Sequence, residues 1–248
     1  MQALFDSGAD SAEAFPARIL MEWRLRNVLI AGAVVVVAGI AGFLAWQHYQ
    51  SSAAPTAAGE APADLEPIKS PLAQAQPDDI VEGDANAPIT MIEYSSLSCP
   101  HCARFQKDVL PQIKKDFIDT GKVKLIQRDF PLNGPAIKAA QLAHCAGPMR
   151  YFALVDVLFK TQDQWLTEDA VEKLAGIAAT AGMDRPTFDA CLANKDIEAK
   201  IVASRKAGED AFQVNATPTF IINGVKREGE QSYDELKALF AKLMPSGS

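Results

Sequence analysis

The chain has 248 residues, a net charge of −7, and is 48% hydrophobic and 22% charged. That balance is globular and excludes collagen, coiled coil and wholesale disorder; the length allows one domain with tails or two small domains. No basic stripe offers to displace counterions, which excludes nucleic-acid binding, and four cysteines are too few for a disulfide-dense mini-fold.

In chain order, residues 1–27 form an expected cytoplasmic segment. Met1 to Leu20 is acidic and unpatterned, whereas Met21-Glu-Trp-Arg-Leu-Arg26 suits a membrane protein's beginning, so translation is expected to start at Met21. Residues 28–46 carry no charge and would span about 28 Å as a helix, close to a bilayer core. Arg24 and Arg26 precede them; the following flank lacks Lys and Arg and carries Glu60 and Asp64. The positive-inside rule then predicts a single-pass anchor with everything downstream outside the cytoplasm. A cleaved signal peptide is the alternative, with Ser52-Ala53-Ala54 as its small-residue site and Pro55 against it. Either reading delivers the downstream part to an oxidising compartment. Residues 47–77, rich in Ala and Pro without an apolar period, read as a flexible tether.

A folded domain is expected over 78–248. A strand at 88–94 runs into Cys99-Pro100-His101-Cys102, and a helix follows over 103–117, with Pro111 expected to kink or restart it. A second strand covers 122–130. Helices are predicted over 135–146, 149–160, 168–181, 185–193 and 196–212. Two strands, 218–222 and 225–228, flank Asn223-Gly224, a type I′ hairpin signal. Ser232 and Glu235 form a capping box that opens a last helix to about 243. The order β-α-β, helical block, α-β-β-α predicts an α/β thioredoxin arrangement with a helical insertion at about 134–193.

The Cys99-x-x-Cys102 pair stands where strand gives way to helix. A nucleophilic thiol must be ionised near neutral pH, which a helix N-terminus favours. A second thiol within one turn can resolve the mixed disulfide. Pro100 suits the first helical position, and His101 is expected to donate hydrogen bonds to the thiolate. Cys99 is thus the expected attacking thiol and Cys102 the buried resolving thiol. A zinc site usually wants a second Cys-x-x-Cys or a His pair, and neither occurs. Attachment of c-type haem needs histidine after the second cysteine, where Ala103 stands.

Residues 83–102, Gly-Asp-Ala-Asn-Ala-Pro-Ile-Thr-Met-Ile-Glu-Tyr-Ser-Ser-Leu-Ser-Cys-Pro-His-Cys, resemble the opening of the DsbA-like thiol-disulfide oxidoreductases. The resemblance covers about 78–243. It implies a bacterial, periplasm-facing enzyme that needs no cofactor and introduces disulfides into unfolded or reduced exported proteins. It also implies reoxidation by a DsbB-like membrane oxidase. An isomerase or reductase kept reduced by a membrane donor is the alternative; a non-catalytic tethered adaptor is a third reading. The family places a cis-proline beside the active cysteines, here Pro218, whose preceding residue, Thr217, offers backbone hydrogen bonds to substrate. DsbA has valine before that proline; threonine resembles the DsbA-like and isomerase branches. The family also carries a buried acid six residues before the first cysteine, here Glu93, to assist proton transfer from the resolving thiol. DsbA pairs that acid with a lysine on the next strand, where Gln127 and Arg128 stand here. Cys145 and Cys191, both on predicted helices, are expected to bond, since the active motif selects that pairing among three. His144 reads as an ordinary helix residue.

Overall fold

The first strands form because they can be covered on both faces. Residues Ile89–Ser95 (β2) are buried without exception, the near-continuous apolar run of a central strand. β2 pairs in parallel with Val123–Asp129 (β3), and β1, only Val81–Glu82, lies antiparallel on the far side of β3. Thr219–Ile222 (β4) lies antiparallel to β2, and Val225–Glu228 (β5) antiparallel to β4. The five-stranded sheet has the order β1-β3-β2-β4-β5. Asn223 and Gly224 both take positive φ, 46° and 88°, as the expected type I′ turn requires. This computed structural model describes residues 66–245. The predicted N-terminal segment, anchor and most of the tether lie outside them, and no helix among the described residues is long and apolar enough to cross a membrane.

Helix α1 (residues 100–118) connects β2 to β3. Two of its turns are π-type, Phe105–Val109 and Lys114–Ile118. The Leu110 N–H bonds the Phe105 carbonyl five residues back. Pro111 lacks an N–H and its ring crowds the preceding turn, so the expected break is absorbed as a widened turn and the helix runs on. The helix begins at Pro100, the first helical position expected of it, with Cys99 at the N-cap position ahead of the stretch 103–117.

The insertion follows β3: Gly134–Cys145 (α2), Pro148–Lys160 (α3), the short Gln162–Trp165 (α4), Ala170–Thr180 (α5) and Arg185–Ala193 (α6). The chain returns through Lys195–Phe212 (α7) and ends in Tyr233–Leu243 (α8), which Ser232 and Glu235 cap as predicted. Helices α1 and α8 cover one face of the sheet through Phe105, Leu110, Phe220 and Phe240. Phe212 and Val214, at the end of α7 and just beyond it, cover the other against Ile92, Tyr94 and Ile221. A third core, built on Trp165, Phe188 and Leu174, fills the insertion and reaches Leu97, Cys99 and Cys102. This is the thioredoxin-like α/β fold with a helical insertion.

The folded region begins before Asp78. Residues 71–73 form a 3-10 turn, Ala73 is buried, and the Ile68 N–H bonds the Gly224 carbonyl at 2.9 Å. The buried Arg128 guanidinium donates to the carbonyls of Leu72 (2.6 Å) and Gln74 (3.0 Å) and to the Asp79 carboxylate (2.7 Å). An Ala/Pro-rich composition gives no sign of this, because the stretch is held mainly by its backbone carbonyls.

Candidate active site

The loop after β2 delivers Cys99 to the N-terminus of α1 with an extended backbone, φ −85° and ψ 122°, while Pro100 opens the helix. Cys99 Sγ lies 3.3 Å from the Thr217 carbonyl oxygen, to which it donates while it is protonated. The Thr217–Pro218 peptide bond is cis, and Tyr94 pairs with Thr219 across β2 and β4. One end of the sheet therefore brings together Cys99, Cys102, Thr217 and Pro218, residues more than a hundred positions apart in the chain.

The two thiols differ in environment. Cys99 is 3% exposed and Cys102 is fully buried. Hydrogen bonding from the Cys102 thiol is the largest influence on Cys99; against the opposing effect of burial, the backbone N–H groups of Cys102 and His101 add to it, and the Cys99 value falls to about 5. Burial, the hydrogen bond to Cys99 and the charges of Glu93 and Cys99 push Cys102 far above the ordinary thiol range. One sulfur is thus a thiolate at neutral pH and the other a thiol that donates to it.

The His101 ring does not turn to Cys99. Its Nδ1 pairs with Glu230, from the loop after β5, and lies 2.6 Å from Arg104 Nη2. Arg104 Nε donates to the same Glu230 carboxylate at 2.9 Å. What His101 gives the thiolate is its backbone N–H. Sequence spacing offers no signal for Glu230, which meets the helix only through the fold.

Glu93 lies on β2 opposite Gln127 of β3 and Phe220 of β4. It is 1% exposed, and neither carboxylate oxygen has a hydrogen-bond partner among the described residues. Burial pushes it up to about 7, and the Cys99 charge adds to the rise. Register places Gln127 on its face. Arg128 falls on the opposite face with Tyr94, whose hydroxyl it reaches at 3.2 Å, so of the two residues at this place on the next strand it is Gln127, and not the cation, that faces the acid.

Cys145 on α2 and Cys191 on α6 are joined by a disulfide across 46 residues. Beside it, His144 Nε2 lies 2.7 Å from Asp129 at the end of β3. Another residue that spacing does not reveal is Gln162, at the start of α4. Its side-chain amide donates to the carbonyls of Leu97 at 2.7 Å and Cys99 at 3.2 Å.

Three comparisons place this geometry among known proteins. A family model described as "Thioredoxin" matches residues 75–242. The crystal structure of α-DsbA1 from Wolbachia pipientis superposes with a TM-score of 0.66 at 35% identity, covering 69% of this chain and 94% of that one. Disulfide bond formation protein D of Bacillus subtilis (strain 168) is 29% identical over 180 residues, 69% of this chain and 78% of its own length. A Rickettsia bellii (strain RML369-C) relative named for protein-disulfide oxidoreductase activity is 32% identical over 152 residues, 60% of this chain. The chain spans 59% and 60% of the lengths of that relative and of one from Rickettsia conorii.

Proposed function

The chain belongs to the thioredoxin family, in its DsbA-like branch, and from this we propose a thiol-disulfide oxidoreductase that donates its Cys99–Cys102 disulfide to exported proteins. A substrate thiolate attacks Cys99 Sγ; the Cys99–Cys102 bond breaks and Cys102 leaves, taking a proton from Glu93. The substrate's second thiolate then attacks its own sulfur in the mixed disulfide and releases Cys99 as a thiolate. Two electrons have moved from the substrate dithiol to the enzyme pair. Thr217 and Pro218 border Cys99 and supply the edge against which an extended substrate lies.

The observation that carries the reading is the asymmetry of the thiols. Stabilising the Cys99 thiolate stabilises the reduced pair and makes its disulfide a stronger oxidant. It also makes Cys99 the better leaving group when substrate departs. Reoxidation falls to a DsbB-like membrane oxidase. Residues 28–46 anchor the chain in the inner membrane and hold residues 78–248 in the periplasm. Thr217 before the cis-proline supports the isomerase or reductase as second reading.

Equilibration of the full-length chain with glutathione buffers separates them. A Cys99–Cys102 potential near about −120 mV is expected for a disulfide donor, whereas about −270 mV means a thioredoxin-like reductant. A pair that never exchanges overturns both and leaves an adaptor. Cys99→Ser is expected to abolish exchange.

A further inference from the structure

We propose that Gln162 is a positioning residue for Cys99: the insertion sets the reactivity of the thiol through this one side chain. The inference rests on the redox reading above. Residues 96–99 must turn sharply from β2 to place Cys99 at the head of α1. The Cys99 N–H bonds the Ser96 carbonyl at 2.9 Å, which closes the turn. The carbonyls of Leu97 and Cys99 face the insertion, and the Gln162 amide donates to both. The Cys99 carbonyl also accepts the first intrahelical bond, from the Ala103 N–H at 3.1 Å.

Gln162 is half-buried at the start of α4. It stands one turn ahead of Trp165, which is fully buried in the insertion core and donates its indole N–H to the Leu158 carbonyl at 2.7 Å. A side chain next to the insertion core therefore grips the peptide that carries the nucleophile. Two effects follow. The grip fixes the Cys99 Sγ over the backbone N–H groups of His101 and Cys102. It also places an amide donor, with its partial positive charge, against the residue on which negative charge develops. Both favour thiolate over thiol.

The chemistry at this position is specific. Two carbonyl acceptors need a donor, so Gln162→Met keeps length and shape but loses the function. Gln162→Glu sets a carboxylate against two carbonyls and is expected to be worse. A packing role predicts the reverse, with Glu closest to wild type and Met tolerated.

The test uses the full-length chain and both variants, with two readouts: titration of the Cys99 thiolate by ultraviolet absorbance, and the Cys99–Cys102 equilibrium with glutathione. The equilibrium constant for oxidising glutathione is expected to fall about 3- to 10-fold in Gln162→Met, up to about 30 mV toward the reducing side. The thiolate titration should move upward in parallel and further in Gln162→Glu. Thermal denaturation of the oxidised forms confirms folding, and if Met fails it, Gln162→Ala supplies the same comparison. Variants that fold and match wild type in both readouts overturn the role of Gln162 alone. A wild type that does not exchange removes the redox reading and this inference with it.

Discussion

Glu93 lies on a strand buried end to end, with no hydrogen bond to its oxygens among the described residues. Such a site tolerates the neutral acid and resists the anion. The value of about 7 in the folded chain stands above the ordinary 4.5. A raised carboxyl contributes stability that is fully present below pH 4.5 and is lost as pH rises through about 7. The loss amounts to up to about 3 kcal/mol. Glu93→Gln, neutral at every pH, is therefore expected to be more stable than wild type at pH 8 by up to that amount, and indistinguishable from it at pH 4. Urea denaturation of the oxidised protein across this range checks it, and a pH-independent difference would refute the assignment. The same variant loses the proton donor for Cys102, so exchange should slow by about tenfold or more. The sequence pointed to this acid by resemblance alone. That its face holds Gln127 and excludes Arg128 follows from strand register, which no single strand encodes.

At the scale of elements, strands and helices were legible wherever burial imposes a period. The turn at Asn223-Gly224, the Ser232 capping box and every long helix stand within a few residues of their sequence limits. What stayed hidden was short or held by backbone: two-residue β1, the α4 turn, and residues 66–77, which bond largely through carbonyls that carry no sequence identity. One interior contact that composition does not announce is Gly208 on α7. A Cβ there would lie 2.6 Å from Tyr94 Cε1, and Tyr94 cannot swing aside because its hydroxyl is held by Arg128. Glycine is unfavourable in a helix interior, so its presence marks how closely α7 approaches the sheet. Gly208→Ala is expected to lower stability by about 1–3 kcal/mol despite its better helix propensity. Chemical denaturation checks this; an unchanged or raised midpoint would mean that the helix can stand off from Tyr94 without loss.

Across the whole molecule, the candidate site is assembled from three parts of the chain: the α1 start, the cis-proline loop and the insertion. The motif Cys99-Pro-His-Cys102 was readable because its chemistry is local. Glu230, Arg104 and Gln162 were not, because each owes its place to tertiary packing. The Cys145–Cys191 bond staples the first and last helices of the insertion over 46 residues. Replacing both cysteines by alanine is expected to cost about 3–4 kcal/mol through the freedom returned to the unfolded chain. A denaturation midpoint that does not move would show that the unfolded state is already restrained there. β4 begins at Thr219 beside the reactive thiol and ends at the Asn223-Gly224 turn, where Ile68 is bonded. Residues 66–68 therefore lie at the far end of β4 from Cys99, so a substrate on the Thr217–Pro218 edge does not compete with them for space.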